Sequence, residues 1–400
     1  MPRIRKLRKR INKIISPFRK FILAGQSSGF ILLAAVIISL IWANSSNSAY
    51  YFHLLEFKSG ISTEYFSIIK STEHWINDGL MCFFFLLVGL EIKRELLNGE
   101  LADIKQAILP VAAAIGGMLI PAFFYLIINY NSNTVKGWAI PMATDIAFAL
   151  AILALLGKRI PLSLKIFLAA LAIVDDLGAI LIIALFYTES ISYYYLIATA
   201  ITFSFLLLFN YFNVSRIVWY IPFGVILWYF VYKSGIHATI AGVLFAFAIP
   251  MQKNVKHSTL VKLENFLHTP VNYIVMPIFA MANTGIILSP DVFKQIISPL
   301  GWGIAAGLIL GKPIGISLFA WLAIKLKFAV MPFQINKIQL SGIGFLAGIG
   351  FTMSVFIALL SFDSPDQQSI AKIAILLSSI IAGIIGSALL IIGSRKNSTN

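Results

Sequence analysis

The chain has 400 residues, 59% of them hydrophobic and 12% charged, and its mean hydropathy is +0.89. An average soluble domain is roughly 45–50% apolar and 25% charged, so this composition excludes a soluble globular enzyme. The net charge of +15 is concentrated in the first twenty residues, which contain nine Lys or Arg and no acid. No basic patch is interleaved with aromatic residues in a soluble domain, so the charge indicates an anionic membrane surface and excludes nucleic acid as a partner.

Apolar runs of about 17–25 residues, the length that crosses a bilayer, recur from residue 30 to residue 392. We therefore predict an all-α polytopic membrane protein with about twelve transmembrane helices. Eleven runs follow the first, so the first is predicted to be an uncleaved helix and not a signal peptide. The predicted spans are 23–44, 75–97, 107–128, 138–156, 162–187, 194–212, 217–231, 235–250, 264–286, 301–324, 339–361 and 369–392.

An even number of spans puts both termini on one side, and the basic N-terminal tail predicts that this side is cytoplasmic. With that orientation, 24 Lys and Arg fall in inside segments and five in outside segments. The predicted organisation is a basic tail over 1–22, one transmembrane domain over 23–392 and a cytoplasmic tail over 393–400.

The one long connection, 45–74, is predicted to lie outside. Its alternating and aromatic residues around Ser59 and Gly60 favour a short β-hairpin that pairs with a second copy of the chain, and a loose loop is the alternative. Cys82 is the only cysteine and lies in an apolar run, which excludes disulfides within the chain and cysteine-based metal sites.

Asp145 lies in the span that begins at Trp138, where Pro141 interrupts the helix and frees backbone carbonyls. Thr144 supplies a hydroxyl beside the acid. Asp145 is interpreted either as part of an ion-binding cavity or as the N-cap of the second half-helix, and the two roles are compatible.

Asp175 and Asp176 have nine apolar or small residues before them and ten after, which places them in the middle of the membrane. A charge at this depth costs from about 2.5–3.5 kcal/mol upward, so it is a functional candidate by default. Two adjacent carboxylates titrate as a coupled pair. The pair suits a site that exchanges protons for a hard cation; the alternative is a structural ion pair with a base on another helix.

Lys312 is the single charge of the span 301–324. Gly303, Gly307, Gly311 and Gly315 recur every four residues there and form a ridge that allows another helix to approach closely. Lys312 is therefore predicted to face protein, with Asp175 or Asp145 as its partner.

Two short strings resemble nucleotide-binding motifs, but each lacks a feature that the motif requires. Pro313 follows Gly311-Lys312 where a P-loop needs Ser or Thr, and the Gly342-x-Gly344 string lies in an apolar span and not at a strand-to-helix turn. No cofactor is predicted, and transport would depend on ion gradients.

A second interrupted span is predicted at Gly348 and Gly350, with Thr352 and Ser354 close by. Two broken segments in matching places indicate an inverted repeat with an ion site where they cross. The predicted halves are approximately 107–187 and 301–392.

These segments resemble the NhaA family of bacterial sodium/proton antiporters. The matching strings are WINDGLMCFFFLLVGLEIKREL (75–96), GWAIPMATDIAFALAILALLG (137–157), LKIFLAALAIVDDLGAILIIALFYT (164–188), KSGIHATIAG (233–242), GKPIGISLF (311–319) and GIGFTMS (348–354). The resemblance implies two discontinuous crossing helices, a homodimer joined partly through the outer hairpin, and efflux of Na+ or Li+ in exchange for H+.

The resemblance also implies roles for individual residues. Asp175 and Asp176 match the essential pair, with Asp176 as the principal cation ligand, and Lys312 matches the lysine that pairs with the first aspartate. Asp145 and Thr144 match the crossing-helix site. Asp78 matches an acid of the outer funnel. The residues that match the cytoplasmic region of pH activation are Glu91, Glu95, Glu264 and His268.

Four further positions are less defined. Asn265 departs from the family pattern, in which a histidine can occur there, so the sequence does not define the pH range. His237 is either a packed histidine near a helix start or a residue of the pH response. Lys93 and Arg94 are interpreted first as positive-inside anchors.

Two other functions use membrane carboxylates or conduct sodium. An intramembrane aspartyl protease needs acids on separate helices, and its GxGD string is absent from the sequence. A passive sodium channel is the second alternative. Neither the exchange stoichiometry nor the preference between Na+ and Li+ follows from the sequence.

Overall fold

The computed structural model describes residues 28–62, 67–188, 191–252, 258–331 and 335–397, and most of these are helical. The predicted basic tail over 1–22 lies outside the described residues. The helices are α1 (Ser28–Ala43), α2 (Ser48–Glu56), α3 (Thr72–Asn98), α4 (Ile104–Ile128), α5 (Ile146–Leu155), α6 (Leu162–Phe186), α7 (Tyr193–Tyr211), α8 (Ile217–Ser234), α9 (Ile240–Ala248), α10 (259–283), α11 (Pro290–Gln295), α12 (Pro299–Lys325), α13 (Lys337–Ala347), α14 (Phe351–Ser361) and α15 (Pro365–Asn397).

Three of the long helices contain a π-helical turn, which sequence periodicity does not reveal. The turns are Trp75–Leu80 in α3, Val271–Val275 in α10 and Ala306–Gly311 in α12. Turns of this kind are frequent at functional sites because they rotate the following side chains relative to a regular helix. Here the first two turns contain Asp78 and Asn272, and the third directly precedes Lys312.

The protein is a helical polytopic membrane protein, as predicted. Among the described residues, eight helices are long and apolar enough to cross a bilayer, and two bent pairs of helices would raise the number to ten. Helix α9 has only nine residues, because 235–239 is not helical although the predicted span covered 235–250. Nine residues extend about 13 Å, well short of the roughly 30 Å hydrocarbon core, so the number twelve stays a prediction.

The long connection contains the predicted hairpin. Strands β1 (Lys58–Ser62) and β2 (Ser67–Ser71) pair antiparallel, with Lys58 opposite Ser71 and Ser62 opposite Ser67. Ser59 and Gly60 lie within β1, so the strands connect through 63–66. The connection also contains α2, which we did not predict because nine residues are too few for a clear helical period.

The glycine ridge of α12 packs against α4, which confirms the predicted close approach. A Cβ added at Gly315 would lie 2.0 Å from the Gly116 carbonyl oxygen, and one at Gly311 would lie 2.7 Å from Pro121 Cα. Gly303 meets Asn129, further along α4. The residue numbers of the contacts increase along α4 while those on α12 decrease. The two helices are therefore antiparallel.

The order of elements is the same in both predicted halves. Each contains a long helix (α4 or α12), an interrupted helix (135–155 or 337–361) and a second long helix (α6 or α15). The antiparallel packing of α4 on α12 is what an inverted repeat requires.

Helix α15 continues to Asn397, beyond residue 393, where the C-terminal tail was predicted to begin. The boundary between the transmembrane domain and the tail stays a prediction. Gly393 packs against the start of α13, where a Cβ would lie 2.7 Å from Gln339 Cγ. Its carbonyl also accepts a hydrogen bond from Asn336 Nδ2 at 2.9 Å. These contacts stabilise one further turn of helix.

We predict that Gly315→Ala destabilises the protein, because the added methyl group meets backbone that cannot move away. Overpacking of this kind costs about 1–3 kcal/mol. Thermal unfolding in detergent measures the effect. Gly79→Ala is the control, since a Cβ there would meet only Trp75 at 3.6 Å; equal melting temperatures for the two variants would contradict the packing argument.

Candidate functional site

Two interruptions of helix meet in the interior. The first separates a 3₁₀ segment, Val135–Met142, from α5, and Pro141 lies inside that segment. The second separates α13 from α14, which are bent by 45° at Gly348–Gly350. A Cβ at Gly348 would lie 2.4 Å from the Leu308 carbonyl oxygen of α12. Both predicted interruptions are therefore confirmed.

The backbone groups that the interruptions free are bonded across the gap. Asp145 N donates to Ile349 O at 2.7 Å. Thr144 Oγ1 donates to Ala347 O at 2.8 Å, and Ser354 Oγ donates to Ile140 O at 2.7 Å. Irregular backbone at membrane depth is stable only when its polar groups find such partners.

The Asp145 carboxylate accepts hydrogen bonds from the first turns of two half-helices. Oδ1 accepts from Phe148 N of α5 at 3.0 Å, and Oδ2 accepts from Thr352 N and Oγ1 of α14 at 3.2 and 2.5 Å. A negative charge at a helix N-terminus offsets the helix dipole. Asp145 is thus an N-cap, as one interpretation proposed, and also lies at the contact between the interruptions.

Asp175 and Lys312 form a buried ion pair through Oδ2 and Nζ. Asp175 Oδ2 also lies 2.6 Å from Thr144 Oγ1, whose single hydroxyl proton is shared between Asp175 Oδ2 and Ala347 O. Lys312 Nζ donates a second hydrogen bond to Met142 O, the last carbonyl of the 3₁₀ segment. The predicted partner of Lys312 is therefore Asp175 and not Asp145. Both side chains are at most 1% exposed, so neither charge is compensated by water.

Asp176 is rotated by about 100° around α6 relative to Asp175 and lines a cavity of about 40 Å³. Asp145, Thr144 and Thr352 line the same cavity, as do Glu91 of α3 and His268 and Asn272 of α10. A water molecule needs roughly 10–15 Å³ of such volume, so the cavity has room for a small cation with water. The cavity thus brings together three carboxylates from three helices.

The other charges of α3 form a separate cluster. Arg94 bonds to Glu95 at 2.6 Å and to Glu264 of α10 at 2.9 Å. Lys93 Nζ donates to the Phe247 and Ile249 carbonyls at the end of α9, both at 2.6 Å. Lys93 and Arg94 therefore hold helices together, which the interpretation as surface anchors missed.

Asp78 and His237 lie together and away from the cavity. His237 Nε2 is 3.5 Å from Asp78 Oδ1, and His237 Nδ1 is 2.7 Å from Thr239 Oγ1. The His237 ring also contacts the Phe356 ring of α14 edge-on. The histidine is packed, in agreement with one interpretation, and its contact with an acid was not predicted.

Sequence reasoning missed several contributors to this site. Thr352 was noted only as a neighbour of the second interruption, although its hydroxyl binds Asp145. Glu91 was placed with the cytoplasmic charges, yet it shares a cavity with Asp176. Asn272 was not considered, because an amide in an amphipathic helix gives no signal of its own.

The chemistry of the site favours a small cation and protons. Oxygen atoms line it, and carboxylate and hydroxyl oxygens are ligands of hard cations. Asp175 Oδ1 and Asp176 Oδ1 are buried and have no hydrogen-bond partner among the described residues. Each is free to hold a proton or a cation.

The comparison with known proteins agrees with this chemistry. The model of the family Na+/H+ antiporter 1 matches residues 19–390. The chain belongs to this family.

Two relatives of the Na+/H+ antiporter 1 family cover nearly all of the chain. Na(+)/H(+) antiporter NhaA of Flavobacterium psychrophilum is 49% identical over 374 residues, covering 94% of this chain and 95% of that protein. Na(+)/H(+) antiporter NhaA of Escherichia coli is 50% identical over 371 residues, covering 92% and 96%. The resemblance inferred from the sequence is thereby confirmed.

A solved structure shares the fold. The sodium proton antiporter MjNhaP1 from Methanocaldococcus jannaschii superposes with a TM-score of 0.56 at 13% identity, covering 96% of this chain and 99% of that one. Members of the Na+/H+ antiporter 1 family are transporters, and this chain has the several apolar helices that a membrane transporter requires.

We predict that Thr352→Val lowers the stability of the protein, because Asp145 Oδ2 loses its shortest hydrogen bond. Hydrogen bonds to charged groups contribute about 1.5–3 kcal/mol. Thr352→Ser keeps the hydroxyl and is the matched control. Thermal unfolding in detergent distinguishes them, and a Val variant as stable as the Ser variant would show that the hydroxyl does not hold Asp145.

Proposed function

We propose that the protein is a secondary active transporter that expels Na+ or Li+ from the cell in exchange for H+ by alternating access. The observation that carries this proposal is the buried Asp175–Lys312 pair beside Asp176, where two interrupted helices meet. Membership in the Na+/H+ antiporter 1 family and the names of the relatives support it. The proposed location is the bacterial inner membrane.

The proposed ion site consists of Asp176 as the principal cation ligand, with Asp175, Asp145 and Thr144 around it. A cation and a proton cannot both bind the same carboxylate, so protonation of the carboxylate expels the cation. Asp145 holds the first turns of α5 and α14 together while the charge beside them changes. The chain supplies ligands and positions them, and it forms no covalent intermediate.

The energetics favour exchange that moves net charge. One pH unit is worth about 1.36 kcal/mol per proton, and a tenfold sodium gradient is worth about the same. One-for-one exchange would stop when the outside becomes alkaline. Excess protons recruit the membrane potential, at about 2.3 kcal/mol per charge per 100 mV. We therefore infer electrogenic exchange with protons in excess.

The proposed arrangement in the membrane has twelve spans within 23–392 and both termini in the cytoplasm. The excess of Lys and Arg on the inside segments supports it. The homodimer is proposed to form through the outer connection 45–74. The exposed backbone edges of the two-stranded sheet support this, since a lone hairpin in water is marginally stable.

A role in the pH response is proposed for Glu91, Glu95, Glu264 and His268. Arg94 joins α3 to α10 through Glu95 and Glu264, so a change of charge there alters how the two helices are held. Asp78 and His237 are proposed to line the outer access path. Their contact supports assigning them to one location.

The two alternative functions fit the site less well. A protease needs two aspartates that face each other across a substrate, whereas Asp145 is bound to backbone amides and Asp175 to Lys312. In a passive sodium channel, the ammonium group of Lys312 beside the cation site would have no function. The family and its relatives lend support to neither function.

We predict that Asp176→Asn and Asp175→Asn each abolish exchange, because an amide keeps the shape of the carboxylate but neither carries its charge nor releases a proton. The assay is proton movement driven by a sodium gradient in sealed vesicles. Asp363→Asn changes an exposed acid between α14 and α15 and serves as the control. Exchange at the wild-type rate in Asp176→Asn would contradict the site assignment.

Lys312→Gln separates two roles of the lysine. If Lys312 carries a proton, sodium binding breaks its pair with Asp175 and releases that proton, so the variant exchanges ions without net charge. If it is a structural counter-charge, the variant melts at a lower temperature and stays electrogenic. We expect the carrier result. An imposed potential that drives transport by the variant as strongly as by the wild type would reject it.

A further inference from the structure

Asn272 is a polar residue of α10 beside the ion cavity. It lies in the π-helical turn Val271–Val275, directly after Pro270. Asn272 lines the cavity together with Asp176, Asp145 and Glu91. None of the ion pairs, helix caps or hydrogen bonds described above for the site assigns a role to Asn272.

The hydrogen bond of Asn272 determines which of its side-chain atoms is available. Nδ2 donates to the His268 carbonyl at 2.8 Å. A carbonyl oxygen accepts hydrogen bonds and cannot donate them, so the nitrogen must point toward it. The side-chain oxygen, Oδ1, takes no part in that bond, and it belongs to a residue that lines the cavity.

The residues that line the cavity come from two sets of elements. Asp145, Asp176 and the threonine hydroxyls come from α5, α6 and α14, the elements of the two repeat halves. Glu91 and Asn272 come from α3 and α10, outside those halves. A cation bound to Asp176 therefore has ligands from outside the repeat halves only if α3 and α10 contribute them.

We propose that Asn272 Oδ1 contacts the transported cation in this cavity, directly or through one water molecule. This inference rests on the proposed function and adds a neutral ligand to it. Hard cations are bound by several oxygen ligands at once, and both oxygens of Asp145 already accept hydrogen bonds, so further oxygen ligands are needed. An amide oxygen binds a cation and does not take up a proton near neutral pH, so Asn272 favours the cation over the proton.

A consequence for affinity distinguishes Asn272 from the aspartates. Removing a carboxylate removes both the cation site and the proton site. Removing the amide oxygen weakens only cation binding and leaves the proton equilibria of the aspartates in place. The KM for sodium should therefore rise, while the pH profile measured at sodium concentrations far below the KM keeps its midpoint.

The experiment measures the KM for Na+ and Li+ of the full-length protein in sealed vesicles at two pH values. We expect Asn272→Ala to raise both KM values about three- to tenfold with a nearly unchanged kcat. Asn265→Ala is the matched control. Asn265 lies on the same helix and makes the same kind of bond, to Val261 O at 2.6 Å, but it is exposed and does not line the cavity.

Asn272→Asp separates a ligand from a helix brace. Aspartate keeps Oδ1 and loses the donor to His268, so a ligand role predicts a KM near or below that of the wild type at high pH, rising as the pH falls. A brace role predicts that the Asp and Ala variants have the same raised KM and the same lowered melting temperature. That result, or an unchanged KM in Asn272→Ala, would overturn the inference. An inactive wild type would instead contradict the proposed function.

Discussion

The rest of the structure depends on the ion pair between Asp175 and Lys312, which is buried in the interior. Removing one partner of a buried pair costs about 3–5 kcal/mol, because the other charge is left uncompensated. Here both partners are also bonded to the first interruption, Asp175 through the Thr144 hydroxyl and Lys312 through the Met142 carbonyl. Any event that changes the charge of this pair therefore acts on the interrupted helix itself.

Lys312 reaches this position because α12 lies unusually close to the elements it packs against. A Cβ at Gly307 would lie 2.5 Å from Pro141 Cβ, and one at Gly311 would lie 2.7 Å from Pro121 Cα. Larger residues would move the ammonium away from Asp175. The second interruption is joined to the same assembly, since Thr144 bonds to Ala347 and Thr352 bonds to Asp145. The glycines, the interruptions and the ion pair thus form one connected unit.

Much of this unit could be predicted from the sequence, because the signals are local. Pro141 and Gly348 mark interruptions through their own backbone chemistry, and an ammonium at Lys312 in an apolar run requires a partner. The spacing of the residues left the choice between Asp175 and Asp145 open, because it depends on how α12 packs against distant segments, and only the family resemblance indicated Asp175. Glu91 and Asn272 were missed for the same reason, since the π-helical turn and the packing of α3 and α10 direct them into the cavity.

The central claim is that a cation and a proton compete for the same buried aspartates. The most direct test is to add NaCl to the detergent-solubilised protein in weakly buffered solution and to measure the protons released. Competition predicts proton release that saturates with sodium, and an apparent sodium affinity that falls as the pH is lowered. Sodium binding with no proton release, and with the same affinity at every pH where the protein stays folded, would contradict the account.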